Sequence, residues 1–542
     1  MKKLFAIVLV CALLAGCAAE ADPTPTGTNP VGTQPPATGE ILYESRFEEE
    51  TLIRLSEGDM DVTGVNSGSV SMSRDIVYYE DKETYDSGNP YGEGEDWERH
   101  TMDEAQNHLV LNITAPGAYR VSGTWSAGQI RVDLGEDACE DETAVVELIL
   151  DGVDITCTVA PAILFQNVYE CDGDWDADTA KPDVDTTAAG ANLILQGENT
   201  VTGSYVAKIF KDKEGEKKLW KQDGAIYSYM SMNVFGPGKL TLNADNEGMD
   251  TELHLTVNGG DITILSGNDG INTNEDGVSV TTVNAGRLHI VAGLGEEGDG
   301  IDSNGYLVIN GGTVISAAKP AADSGLDSDL GSYIHGGTVV ALGAAMDWAE
   351  SDSGQVTVNL QFNGRQNGAL QITAESGREV FTFDPASDPV LKDYSRGFQG
   401  VVISSPAFRV GDSYEVSVAG AKMMYTGTDV MGHGPGGMGP NPPGGFGPSR
   451  PEGEMPTWPE GEMPTMPEGG MPPEGFGDRE PPQGFDAQMP TRPAGEMPEG
   501  GFGGGFGRGD RGQGGETPTG EGNTLFYMQD KVNFFSGITA AE

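Results

Sequence analysis

Four stretches decide the fold: LHLTVNGGDITIL (253–265), VTTVNAGRLHIVA (280–292), LVINGGTVISA (307–317) and SYIHGGTVVAL (332–342). Each reads as a short β-branched run, a turn, and a second such run. The turn residues Asn258, Asn284, Asn310 and His335 stand 26, 26 and 25 residues apart. A second marker runs between them: Gly248-Met249-Asp250, Gly270-Ile271-Asn272, Gly300-Ile301-Asp302 and Gly325-Leu326-Asp327, with glycine spacings of 22, 30 and 25. Two markers interleaved at one mean period form an internal repeat. A period in the twenties with strand–turn–strand content predicts an all-β chain wound as a parallel β-helix, two or three short strands to a coil. Leucine-rich repeats share the period but need an LxxLxLxxN/C frame, which is absent. A propeller blade needs about forty residues. An immunoglobulin-like sandwich would not repeat its turn chemistry this closely. Coils stacked about 4.8 Å apart should bring Ile264, Ile290, Ile315 and Val340 into one inward apolar row.

Working outward, the repeat region extends over 105–353. Residues 354–430 keep strand character but lose the repeat, and read as final coils with a β-rich cap that protects the open end of the solenoid. Residues 41–104 read as the cap at the other end. Over 431–522 the composition changes: PEGEMPTW, PEGEMPTM and PEGGMPPE recur at a period of eight, followed by Gly-Phe-Gly runs. Pro and Gly at this density bury no core, so this insert is expected to be disordered. TLFYMQDKVNFFSGI (524–538), within the last segment 523–542, regains strand character and is expected to return to the body.

The start of the chain bears on compartment. Lys2 and Lys3 precede an apolar run, Leu4 to Leu14, too short to span a bilayer as a mature helix. It ends in Leu14-Ala15-Gly16-Cys17, which looks like a bacterial lipobox. Residues 1–16 are therefore expected to be removed as a signal peptide and Cys17 to take lipid. Residues 17–40, rich in Pro, Thr and Gly, form a disordered tether. The folded part would then be extracellular, held at the outer face of the cell membrane through lipid alone, and acting as a monomer. Cys139, Cys157 and Cys171 remain, allowing at most one disulfide, and none has metal-site spacing.

The net charge of −53 excludes nucleic-acid binding through phosphates. Between residues 243 and 352 there are 18 Asp and Glu against two bases, Arg287 and Lys319. NDGINTNEDG (268–277), GDGIDSNG (298–305) and SGLDSD (324–329) are typical. Coils in register would line up Asp250, Asn272, Asp302 and Asp327 as one column. Asp269 and Asp299 would form a second, three residues earlier. Two carboxylates about 5 Å apart repel by roughly 3 kcal/mol at an effective dielectric near 20. Such a column must splay into water, take up protons or bind a cation. Hard oxygen ligands at variable spacing suit Ca²⁺. The competing reading is local, because Asp-Gly and Asn-Gly form turns whose side chains bond their own backbone. NTNEDG from Asn272 imitates an EF-hand start, but its twelfth position is Val283 where a bidentate Glu is needed. No period of nine follows GDGIDSNG, which excludes the calcium β-roll.

GMDTELHLTVNGGDITILSGNDGINTNED (248–276) and GDGIDSNGYLVINGGTVIS (298–316) resemble a bacterial carbohydrate-binding domain family first described from a cellulolytic clostridium. The similarity extends upstream to APGAYRVSGTWSAGQIRVDLG (115–135) and VELILDGVDITCTVAPAILFQN (146–167). The resemblance implies a right-handed parallel β-helix like that of pectate lyases, bound Ca²⁺, and affinity for plant cell-wall polysaccharide such as polygalacturonate and cellulose. It implies no catalysis, and it transfers no sugar-binding residue to this chain. An acidic face reaches an acidic polysaccharide only through a bridging cation, so binding should depend on Ca²⁺. Trp348, Tyr306 and Tyr333 are candidate platforms for neutral sugar rings, or packing residues. Two alternatives remain. One is a Ca²⁺-dependent lyase with Lys319 as base, although a Lys among carboxylates keeps a high pKa and makes a poor base. The other is a surface scaffold without sugar specificity. KIFKDKEGEKKLWKQ (208–222), with six Lys and Trp220, reads as a solvated insertion between coils.

Overall fold

The computed structural model describes residues 41, 43–76, 100–173, 175–213, 216–295, 297–320, 323–344, 347–428 and 522–541; the side chains of Met102 and of 207–221 fall outside that description. The expected signal segment, Cys17, the tether and nearly all of the 431–522 insert lie outside the described residues.

The described chain is all-β and is organised by three rows of parallel strands. The first row runs Gly117–Trp125, Val146–Thr156, Ala191–Gln196, Met232–Phe235, Leu255–Val257, Val280–Val283, Tyr306–Ile309 and Gly331–Ile334, each strand hydrogen-bonded to the next. The second runs Glu198–Gly203, Lys239–Ala244, Asp261–Ser266, Arg287–Val291, Thr313–Ala317 and Thr338–Gly343. The third runs Leu109–Ile113, Gly128–Asp133, Ile163–Asn167, Gly224–Ser228, Glu247–Thr251, Ile271–Thr273 and Ile301–Ser303. Each downstream repeat therefore gives one strand to each row. Alternating side chains make these strands two-faced: in Lys239–Ala244, Leu240 and Leu242 are buried while Lys239 and Thr241 face out.

The turn from the first row to the second explains the repeated Asn-x-Gly. Gly260, Gly286, Gly312 and Gly337 have φ of 95°, 87°, 78° and 85°, where any side chain is strained. The glycines of the second marker are required for space instead. A Cβ on Gly248 would meet Ile264 Cγ2 at 2.5 Å; on Gly270 it would meet Ile290 Cγ2, and on Gly300 Ser316 Oγ, closer still. The two markers of the repeat are thus the two sides of one contact across the core.

That contact corrects the expected apolar row. Ile264 pairs with Ile290, but Ile290 pairs with Ser316, not Ile315. Ile315 aligns with His289 and Val340 on the outer face. A slip of one residue moves a side chain to the opposite face of a strand. The inward column is Ile264, Ile290, Ser316 and Ala341. Ile315 and Val340 belong to a second core, with Val401, Ile403 and Phe398 of the C-terminal part.

From Thr357 onward most pairing is antiparallel. Phe398–Ser404 pairs with both Thr338–Gly343 and Thr357–Gln366. The last strand, Val532–Ala540, returns to lie parallel to Thr357–Gln366 and antiparallel to Ala421–Met424. His289 and Asp388, both buried, meet at 2.8 Å across this junction. At the other end Glu50–Ser56 extends the first row, and Asp59–Thr63 folds back beside it. Arg120 ties the first of these to the body through both carboxylate oxygens of Glu50, at 2.7 and 2.8 Å, and through Asp151 at 3.0 Å. The lysine-rich segment forms a hairpin, Val206–Lys213 with Glu216–Gln222, whose strands pair, among the described residues, only with each other. Among the described residues no helix is long and apolar enough to cross a membrane.

Candidate functional site

The third row carries the carboxylates. In register along it lie Tyr227, Asp250, Asn272 and Asp302. Backbone bonds from Ser303 N to Asp327 O, 3.2 Å, and from Asp327 N to Ile301 O, 2.8 Å, set Asp327 beside Asp302. Asp269 and Asp299 stand in the second column. Asp299 N donates to Asp269 Oδ1 at 2.6 Å, Ser324 N donates to Asp299 Oδ1, and Gly298 N donates to Asp323 Oδ2 at 3.1 Å. The second column therefore has a structural duty, tying each repeat to the next through a carboxylate.

Three further carboxylates join them. Glu247 Oε2 accepts from Asn272 Nδ2 at 3.2 Å. Asp347 accepts from Ser328 Oγ at 2.6 Å and lies one repeat beyond Asp327. Asp329 acts electrostatically on Asp302, Asp327 and Asp347. Glu247 immediately precedes the marker glycine Gly248, as Asp269 precedes Gly270 and Asp299 precedes Gly300, so it heads the second column. Its longer side chain reaches Asn272 across the repeat. Asp347 lies beyond the last clear marker, where the period no longer guides the eye.

Burial pushes up the carboxyls of Glu247, Asp269, Asp299, Asp302, Asp327, Asp329 and Asp347. Asp302 is raised to about 6, Asp299 and Asp347 to about 7, and Asp327 to about 9. Glu247 and Asp269 are raised well above the ordinary carboxylate range. After burial, the charged neighbours acting most strongly on them are other carboxylates: Asp250 and Asp223 on Glu247, Glu247 and Asp302 on Asp269, Asp299 and Asp302 on Asp327. Desolvation and like charge both disfavour the ionised form, so at neutral pH this face needs protons or a cation.

The donor set is chemically suited to a hard cation. It consists of carboxylate and amide oxygens, and the buried Asn272 Oδ1 has no hydrogen-bond donor. Asn272 Nδ2 also reaches Asn274 Oδ1 at 3.0 Å, and Asn274 Nδ2 donates to Asp250 Oδ1 at 2.7 Å. Among the described residues no three His, Cys, Asp or Glu side chains already converge on one point. The histidines are dispersed. His254 Nδ1 accepts from Val280 N at 3.0 Å while Nε2 faces Asp172 at 3.5 Å. His289 meets Asp388, and His335 is exposed. Cys139, Cys157 and Cys171 are free thiols, and burial pushes the Cys157 and Cys171 thiols up to about 12.

The remaining candidates separate by contact. Lys319 Nζ donates to Gly295 O at 2.7 Å. Trp348 packs edge-on against Phe534 at 4.8 Å and against the main core. Tyr306 and Tyr333 lie together on the outer face of the first row, 6.1 Å apart.

Comparison with known proteins follows the same region. A family model for carbohydrate-binding domain-containing proteins matches residues 107–390, a little over half of the chain. A carbohydrate-binding domain-containing protein of Acetivibrio thermocellus is 30% identical over 209 residues, 38% of this chain; the match spans 58% of that relative's length. A solved structure, a gadolinium derivative of the polysaccharide lyase-like protein from C. thermocellum, is 22% identical with a TM-score of 0.31, covering 53% of this chain and 92% of that one. With the three rows and the acidic face inside the matched region, the chain belongs to the carbohydrate-binding domain-containing protein family.

Proposed function

We propose that this chain is a non-catalytic binding module that holds acidic plant cell-wall polysaccharide, such as polygalacturonate, through Ca²⁺ on its acidic face. The three rows would be the sides of a right-handed parallel β-helix, and Cys17 the lipid anchor that displays it at the cell surface. The observation carrying the reading is the buried, mutually repelling set Glu247, Asp269, Asp299, Asp302 and Asp327. Glu247, Asp250, Asn272, Asp269, Asp299, Asp302 and Asp327, spread over four successive repeats, would supply ligands to one or more Ca²⁺ ions, which would bring the positive charge that the face lacks. A uronate chain could then approach a surface that otherwise repels it.

Lys319 supports the non-catalytic reading, because its ammonium is engaged with a backbone carbonyl and would have to lose both proton and partner to act as a base. The test is calorimetric titration of Ca²⁺ into the metal-free protein, beside Glu247→Gln and Asp269→Asn. The parent should bind Ca²⁺ and each variant should bind it at least about tenfold more weakly. Equal affinity in all three would remove this face as the site. Release of the protein from membranes on Cys17→Ala would test the anchor.

A further inference from the structure

The outer face of the first row differs at its two ends. At the early repeats the chain covers it: Tyr43 and Phe47 pack over Ala118, Ile149, Ile194 and Phe235, and Ser45 Oγ and Arg46 N bond the Glu147 carboxylate at 2.6 and 2.8 Å. Further along, the column that begins with Ile149, Ile194 and Phe235 continues as Asn258, Asn284, Asn310 and His335. The three amides form a ladder, Asn284 Nδ2 to Asn258 Oδ1 at 2.9 Å and Asn310 Nδ2 to Asn284 Oδ1 at 2.8 Å. At the end of the ladder stand three rings, Tyr306 in the repeat of Asn310 and Tyr333 and His335 in the next.

Tyr306 and Tyr333 have centroids 6.1 Å apart, and Tyr333 stacks on His335 at 6.3 Å with only 28° between planes. Gly331 stands opposite Tyr306 and puts no side chain between the two tyrosines. The tyrosines are half-buried and His335 is exposed. Gly354 N donates to His335 Nδ1 at 3.0 Å, which fixes the ring and leaves its proton on Nε2. A held aromatic shelf, its two tyrosine planes inclined by 51°, beside amide and imidazole hydrogen-bonding groups is chemistry that receives a sugar: the C–H face on the rings, the hydroxyls on the polar edge.

The charge around the shelf selects the sugar. Glu350 and Asp352 both act on Tyr333 and, after burial, help hold its hydroxyl at about 12. Carboxylates so close repel a uronate, but they accept hydrogen bonds from neutral hydroxyls. We propose that Tyr306, Tyr333 and His335 form a second glycan subsite, which takes an unbranched chain of neutral pyranoses without any divalent cation. The inference shares with the preceding section only the premise that the chain binds carbohydrate; it concerns a different row and needs no Ca²⁺.

The test is affinity electrophoresis of the full chain through gels containing soluble neutral β-glucan, xylan or galactomannan, all in EGTA. The parent should be retarded by at least one of them. Tyr306→Ala/Tyr333→Ala should weaken that retardation by roughly tenfold, and His335→Ala should weaken it less. Tyr333→Phe keeps the ring and should behave like the parent, which guards against misreading a folding defect. Thermal midpoints and any Ca²⁺-dependent polygalacturonate binding should be unchanged in all variants. A parent not retarded by any neutral glycan, or a double variant retarded as strongly as the parent, overturns the inference. So does simultaneous loss of polygalacturonate binding in a double variant with an unchanged midpoint, since the two subsites would then be one. Retardation in EGTA without any Ca²⁺-dependent uronate binding would uphold this subsite while the Ca²⁺ reading fails.

Discussion

Asp299→Asn is the sharpest perturbation of the acidic face. The substitution preserves size and leaves an oxygen to accept from Ser324 N, so what it removes is the charge. The Asp299 carboxyl is raised to about 7 in the folded protein, first by burial and then by Asp302, Asp323 and Glu297. A carboxyl whose folded pKa is raised leaves stability intact below its ordinary value of 3.8 and lowers it as pH rises through the folded value. Holding the charge at pH 8 therefore costs the folded, cation-free protein about 4 kcal/mol, and at pH 5 about 2 kcal/mol. In EGTA the variant should be more stable than the parent by about these amounts, with the gain vanishing below about pH 3. In Ca²⁺ the sign should reverse, because the ion compensates the charge in the parent and the variant offers a weaker ligand. Urea denaturation followed by near-ultraviolet circular dichroism, at pH 5 and 8 and in EGTA or Ca²⁺, reads all four conditions. A variant no more stable than the parent at pH 8 in EGTA would refute the reasoning.

Three other perturbations probe the frame. Gly270→Ala should destabilise by about 2 kcal/mol or more in urea, because its Cβ would collide with Ile290 Cγ2 and Gly300 O; a neutral result would mean the marker glycine is not there for space. His289→Ala should destabilise by about 3 kcal/mol, since it strands the buried Asp388. Because Asp388 is held below its ordinary value, with hydrogen bonds and charge from His289 outweighing burial, the stability this pair gives should persist above about pH 4 and fade as pH falls lower. Arg120→Ala should cost only about 1 kcal/mol, because the arginine is 30% exposed and its carboxylate partners Glu50 and Asp151 are 36% and 44% exposed.

The repeat was legible because its two markers are physical necessities. Gly260, Gly286, Gly312 and Gly337 must take a left-handed turn, and Gly248, Gly270 and Gly300 must admit the column opposite. From those spacings the register of Asp250, Asn272 and Asp302 follows directly. The inward row was misread where the strand has two apolar faces. TVISA and TVVALG are buried on both sides, one face on the repeat core and one on the C-terminal part, and such strands lose the alternation that marks the inside. A distant segment supplied the second cover, and no local pattern announces that. Glu247 is different: it stands in phase at the head of the second column, three residues before Asp250, but as a Glu where the following repeats have Asp, and its side chain reaches Asn272 of the next repeat.

The most direct measurement is a calorimetric titration of polygalacturonate into the full chain, first in Ca²⁺ and then in EGTA, with absorbance recorded for unsaturated uronate. The account predicts heat of binding in Ca²⁺, its loss in EGTA, and flat absorbance throughout. Rising absorbance that disappears on Lys319→Ala would make the protein a lyase. Absence of heat in both states would contradict the Ca²⁺-bridged reading and leave the acidic columns with the structural duty seen in Asp269 and Asp299 alone.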